Sequence, residues 1–334
     1  MNADTKYFLA FLRRWRRIAV PVAAAVLALI GAAVPAAAAS SDALTVFAAG
    51  TLAVPFRALV QRFEKQNQET AVHAEFGGSV KMARQIVDLH RPADILAVAD
   101  YNVIPKYLFA HNGHKGLAGW YVGFAGNAIT FVYTDKSKYA KEVDARNWYK
   151  MLARSGVVIG RSDPDTDPSG YQTVQMLDLA ARYYNEKGLT KKILANSPPA
   201  AIRDTETSLI AALQLGQIDY LAIYRSDAIQ HHFRYLKLPP QIDLSDPEFA
   251  AEYRNGVAHT ANGDLPGRPI VYAVTIPSNA PHPQEAAKFL ALLLGDQGRS
   301  VMSADGFAAL PAAYAVNLAA MPASLRKLAK PWPH

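Results

Sequence analysis

No cysteine occurs anywhere in the 334 residues. Disulfide stapling is thereby excluded, as are a thiol nucleophile and a lipid anchor built on a cysteine behind a leader. A strong excess of one charge is missing too. The formal balance of +7 is inflated by Lys6, Arg13, Arg14, Arg16 and Arg17, set against Asp4 alone. Without residues 1–40 the chain keeps 30 basic and 27 acidic residues, and these are scattered rather than gathered in a stripe. That pattern argues against nucleic acid or another polyanion as partner. Internal repeats, coiled-coil heptads, G-x-S-x-G, H-E-x-x-H and a phosphate-binding P-loop are all absent. The nine histidines lack a tight metal-ligand spacing: His111 and His114 lie in a glycine-containing loop, and His231 and His232 adjoin a helix end.

What is present begins with a leader. Four arginines between positions 13 and 17 precede an apolar run from Ile18 to Val34, then Pro35 and the alanines 36 to 39. A basic head, an apolar body and a small-residue end predict a signal peptide over 1–40. Ala37 and Ala39 form an A-x-A pattern that places cleavage near Ser40. The apolar run is short for a membrane anchor, which needs roughly 20 residues. Export without disulfides leaves stability to the core, and the 294 residues from 41 to 334 are enough for two domains.

Strand and helix signals alternate in the remainder. Leu44–Ala48 reads as a strand, Leu52–Glu64 as a helix, Ala71–Phe76 as a strand, Ser79 to about Leu89 as a helix, and Asp94–Val98 as a buried strand. Such a series builds a parallel sheet covered by helices, an α/β fold. Further strands are expected at 128–133, 157–160, 220–224 and 270–276, with helices near 148–152, 171–184, 209–215, 284–294 and 298–303. Residues 241–269 read as an irregular connection, and 320–334 as a peripheral tail.

The informative residues stand at helix starts. Thr51 and Ser79 each follow a strand beside glycine, where free backbone N–H groups and the helix dipole favour an anion. Each also has an ordinary reading, Ser79 above all as an N-cap. Two such turns on adjacent strand ends suggest one anion pocket, because ligands of open parallel sheets bind beyond the strands' carboxyl ends. Asp163, Asp165 and Asp167 precede another helix. Asp167 followed by Pro168 is good capping grammar, and the cluster also resembles the opening of a calcium loop. Pro168 and Val174 stand where such a loop requires glycine and glutamate, which argues against calcium. Glu206 sits in a helix's first turn, where its charge is favourable. Tyr224 ends a strand with a hydroxyl able to reach a cleft.

Phe47-Ala-Ala-Gly-Thr-Leu-Ala-Val-Pro-Phe56, Gly77-Gly-Ser-Val-Lys81, Ala93-Asp-Ile-Leu-Ala-Val-Ala-Asp-Tyr101 and Ser162-Asp-Pro-Asp-Thr-Asp-Pro-Ser-Gly-Tyr171, in this order, resemble the periplasmic molybdate/tungstate-binding proteins of the branch first known from archaea. Ile218-Asp-Tyr-Leu-Ala-Ile-Tyr-Arg-Ser226 and Arg268-Pro-Ile-Val-Tyr-Ala-Val-Thr-Ile-Pro277 extend the match, which runs from about residue 44 to 310. The resemblance implies a type II periplasmic binding-protein fold, two lobes with a ligand cleft and hinge. Lobe I would comprise 41–122 plus 268–334, and lobe II 123–267. It further implies a monomeric, periplasmic carrier rather than an enzyme. Such a carrier needs no cofactor, takes tungstate or molybdate as ligand, and delivers it to the permease of an ABC transporter. On the family's pattern Thr51, Ser79, Asp167, Glu206 and Tyr224 would bind the ligand, Asp167 and Glu206 reaching the molybdenum or tungsten itself and making it six-coordinate. Three positions depart from that pattern: Thr51 replaces a serine, Ser169 a cysteine and Gln172 an arginine. The alternatives are a carrier of another oxyanion, such as sulfate or phosphate, and an anion-dependent hydrolase.

Overall fold

The computed structural model describes residues 43–110, 115–261 and 263–333. The expected leader, its cleavage point near Ser40, and His111 and His114 lie outside the described residues.

The described residues open with three strand–helix units: β1 (Leu44–Ala49), a 3-10 turn (Gly50–Leu52) and α1 (Ala53–Gln66); β2 (Val72–Gly77) and α2 (Ser79–Val87); β3 (Ile95–Val98) and α3 (Val103–Leu108). All four residues of β3 are buried, as the unbroken apolar run requires of a strand covered on both faces. β4 (Tyr121–Gly126) and β5 (Ile129–Tyr133) follow, then α4 (Trp148–Leu152), β6 (Ile159–Ser162), α5 (Pro168–Tyr183), α6 (Leu189–Ala195) and β7 (Ile202–Arg203). After the 3-10 turn Glu206–Leu209 come α7 (Ile210–Leu215), β8 (Tyr220–Tyr224), α8 (Arg225–Gln230), β9 (Arg234–Tyr235) and α9 (Ala250–Tyr253). The rest comprises β10 (Val257–Thr260), β11 (Gly263–Pro266), β12 (Val271–Thr275), α10 (Pro283–Leu294), α11 (Asp296–Ala304), β13 (Ala308–Val316), α12 (Ala323–Arg326) and β14 (Lys330–Pro331).

These strands make two principal sheets. The first has seven strands in the order β14-β13-β4-β12-β3-β1-β2, with β1 parallel to both β2 and β3 and with β12 antiparallel to β3 and β4. The second has five, in the order β7-β6-β8-β5-β9. The chain passes from first sheet to second between β4 and β5, at Asn127–Ala128, and returns at β12. Among the described residues no helix is long and apolar enough to cross a membrane.

Two expectations need correction. Residues 241–269 are not uniformly irregular: β10 and β11 form an antiparallel hairpin, with Val257 opposite Pro266. Of the eight hairpin residues only Ala258 is buried, so no apolar alternation marks it. Nor is 320–334 peripheral. β14 adds a strand to the first sheet, Met321 and Leu325 are buried, and the Trp332 ring lies 4.9 Å from that of Tyr101. Lysines and prolines conceal those anchors in the sequence. A strand at 121–126 was also not expected. Its two glycines weaken the strand signal, and tertiary pairing with β12 and β13 supplies what propensity lacks.

Candidate functional site

Parallel pairing of β1 with β2 sets Ala49 opposite Gly77, so the turns that follow these strands lie side by side. One carries Thr51 and the other Ser79, and both are buried. Ser79 is not an N-cap. Gly78 holds that position, Ser79 is the first helical residue, and its Oγ accepts the Ala99 N–H at 3.0 Å. Thr51 Oγ1 lies 2.8 Å from the hydroxyl of Tyr272, which β12 places beneath it.

From the other side come the starts of α5 and of the 3-10 turn at Glu206. Gly50 and Gly78 allow the two sets of turns to meet. A methyl group on Gly78 would stand 2.6 Å from the Thr166 carbonyl oxygen, 2.8 Å from that of Asp204 and 3.2 Å from Cβ of Asp167; one on Gly50 would stand 3.0 Å from Thr205 Oγ1 and 3.1 Å from Thr207 Oγ1. Real side chains do not tolerate such approaches to backbone oxygens, so Gly78 requires glycine for closeness rather than for dihedral freedom, whereas at Gly50 the crowding comes from two threonine side chains. The Lys81 N–H donates to the Thr166 carbonyl at 3.3 Å, and its ammonium pairs with Asp204 at 2.6 Å. Thr51, Ser79, Asp167 and Glu206 therefore converge on one enclosed region.

Asp167 occupies the N-cap position of α5 with Pro168 behind it, yet its side chain makes no capping bond. Its Oδ2 instead lies 2.8 Å from Ser169 Oγ, which is also 2.7 Å from Glu206 Oε2 and 2.5 Å from Ser162 Oγ. A serine has one proton and cannot donate to two ionised carboxylates at once. Glu206 is correspondingly held well above the ordinary carboxylate range, first by burial and then by the charge of Asp167. Burial beside Asp167 therefore favours the protonated form of Glu206. Tyr224 donates to Gln172 Oε1 at 2.7 Å, and burial raises its phenol well above the usual value. Gln172, where the resemblance leads one to expect arginine, is thus bound to one of the five expected ligand contacts.

Asn127, Asp227 and Tyr272 escaped the sequence reading. Asp227, in the first turn of α8, is buried, one carboxylate oxygen has no partner, and burial pushes its pKa up to about 8, with Asp167 adding to the shift. Burial thus favours its protonated form, and its charge, where present, adds to the upward shifts of Glu206 and Tyr272. Only its place three residues after Tyr224 pointed toward the site. Asp163 and Asp165 do not join it: Asp163 Oδ1 accepts the Asp165 N–H, and Asp165 Oδ1 accepts the Ala261 N–H. Among the described residues no group of three or more histidine, aspartate or glutamate side chains forms a cation site.

A family model described as bacterial extracellular solute-binding protein matches residues 44–308. An uncharacterized solute-binding protein of Petrotoga mobilis is 38% identical over 294 residues, 86% of this chain and 90% of that protein. The molybdate/tungstate-binding protein WtpA of Thermococcus kodakarensis is 37% identical over 287 residues, 77% of this chain and 79% of its own length. Among solved structures, the periplasmic molybdate-binding protein of Azotobacter vinelandii superposes with a TM-score of 0.59 at 20% identity, covering 80% of this chain and 99% of that one. That likeness establishes a shared fold, mixed α/β with two sheets.

Proposed function

The chain belongs to the bacterial extracellular solute-binding proteins, and from that membership we propose that it captures tungstate or molybdate outside the cytoplasm and delivers it to an ABC permease. The observation that carries this reading is Asp167: a residue in cap position whose carboxylate leaves the helix uncapped and turns to Ser169, the hydroxyl that also meets Glu206. On this reading the two lobes are 41–122 plus 268–334 and 123–267; the passage of the chain from the first sheet to the second after β4 supports it, and a hinge near that passage lets the cleft open.

Thr51 and Ser79 donate hydroxyl protons to oxo groups, helped by free N–H groups at the starts of α2 and α5. Asp167 and Glu206 approach the metal. A buried carboxylate repels any dianion, and sulfate or phosphate offers nothing in return. Molybdenum and tungsten accept further oxygen ligands where sulfur does not, so the same pair attracts one class of oxyanion and rejects another. Tyr224 supports the site through Gln172. Transfer of the proton held with Glu206 to solvent accompanies coordination, because a ligating carboxylate is ionised.

Calorimetric titration of the protein lacking residues 1–40 tests the reading. Tungstate and molybdate are expected to bind at least about a hundredfold more tightly than sulfate, phosphate or calcium, a difference of about 2.7 kcal/mol. Equal or tighter binding of sulfate or phosphate would show a carrier of another oxyanion.

A further inference from the structure

We propose that Tyr272 is a positioning residue for the oxyanion: anchored by Asn127, its hydroxyl orients Thr51 so that the threonine presents its own proton to the ligand. The proposal rests on the oxyanion reading above and adds to it how a hydroxyl site acquires donor polarity.

The direction of each hydrogen bond follows from the buried amide of Asn127. Two backbone donors fix its orientation, since the N–H groups of Ala128 at 3.0 Å and Ser226 at 3.3 Å both point to Oδ1. Nδ2 then faces Ser226 Oγ at 2.8 Å and the Tyr272 hydroxyl at 3.3 Å. An amide nitrogen only donates, so toward Asn127 the phenol oxygen is an acceptor. The phenol retains one proton, and the other oxygen bonded to it is Thr51 Oγ1 at 2.8 Å. Asp227 and Glu206 both raise the pKa of the phenol, but neither is hydrogen-bonded to it: Glu206 Oε2 lies against Ser169 and Thr205, and the free oxygen of Asp227 makes no hydrogen bond to anything. Tyr272 therefore donates to Thr51, and the Thr51 proton is left for a further acceptor.

Ser79 has the same polarity by a different route. Its oxygen accepts the Ala99 N–H, which leaves its proton available as well. An oxyanion offers acceptors only, so a site that occupies the oxygen of each hydroxyl with a protein donor is preset for it and incurs no reorientation on binding. The ring of Tyr272 is held independently of its hydroxyl, edge-on to Phe307 at 5.1 Å and to Tyr224 at 5.8 Å.

Tyr272→Phe keeps that ring and removes only the relay. Tungstate affinity by calorimetry is expected to fall about tenfold or more. In a Thr51→Val background, where no threonine proton remains to be oriented, the same change is expected to alter affinity by less than about twofold. A purely structural role for the phenol would give equal losses in both backgrounds and would overturn the proposal, as would a Tyr272→Phe protein that binds like the parent. Should Tyr272→Phe fail to fold, Asn127→Asp serves in its place. A carboxylate there accepts from the phenol and reverses the relay, so a similar loss is expected and unchanged affinity is contrary. A parent that binds none of tungstate, molybdate, sulfate and phosphate would refute the oxyanion reading and the proposal with it, whereas a binding parent with an indifferent Tyr272 would refute the proposal alone.

Discussion

Asp167→Asn is expected to lower tungstate affinity at least about a hundredfold while changing fold stability by no more than about 1 kcal/mol. The two halves of that result separate a ligand from a helix cap. Loss of an N-cap side chain costs about 0.5–2 kcal/mol of stability and has no reason to affect ligand ranking. Here the Asp167 side chain makes no cap bond to lose, and asparagine fits the same space. What disappears is a charged oxygen able to coordinate a metal centre, together with a repulsion that excludes sulfate. Sulfate binding is therefore expected to stay absent or improve slightly. Glu206→Gln should lose tungstate to a similar degree, and its ligand-free form should be more stable than the ligand-free parent at neutral pH because a buried carboxyl beside Asp167 is gone. Calorimetry with thermal unfolding of the same samples reads both quantities. Parent-like tungstate affinity in both variants would remove the carboxylates from the site.

The second large effect concerns pH. Burial raises the folded-state pKa of Asp227 from the ordinary 3.8 to about 8, and Glu206 is raised as well. A raised acid holds its proton in the folded chain after the unfolded chain has released it. For Asp227 the stability is fully present below about pH 4, declines as pH rises, and reaches its lowest level above about pH 8. About four pH units at about 1.4 kcal/mol each set an upper bound of about 6 kcal/mol over that window. The Asp227→Asn protein should lack much of this slope and unfold on the order of 10 °C higher than the parent at pH 8, taking 2–4 °C per kcal/mol. Thermal unfolding of ligand-free parent and variant from pH 4 to 9 measures it. Parallel pH profiles would mean that Asp227 is solvated or paired in the folded protein.

The residues that convergence depends on were only partly legible in the sequence. Strand–helix alternation announced the first sheet through β3, and glycine before Thr51 and beside Ser79 announced turns suited to an anion. Spacing alone could not bring Asp167 to Glu206, because the contact is made through Ser169 across 37 positions of chain. It also left open whether Ser79 caps its helix; Gly78 takes that position and the serine oxygen serves Ala99 instead. Tyr272 was invisible for a different reason. A tyrosine inside Val-Tyr-Ala-Val-Thr is an ordinary core strand residue, and its importance arises only when β12 inserts between β3 and β4 and brings its hydroxyl to Thr51, 221 positions away. The hairpin of β10 and β11 and the final strand β14 were hidden by polar composition. Their partners, rather than their own propensities, define them.

X-ray absorption at the tungsten edge of the tungstate-loaded protein tests the central claim most directly, since it counts the oxygens around the metal without reference to any variant. Coordination by Asp167 and Glu206 predicts two longer tungsten–oxygen distances in addition to the four short oxo bonds. A spectrum with only the four equal bonds of free tungstate would contradict it, leaving hydroxyls and backbone N–H groups to hold the anion by hydrogen bonding alone.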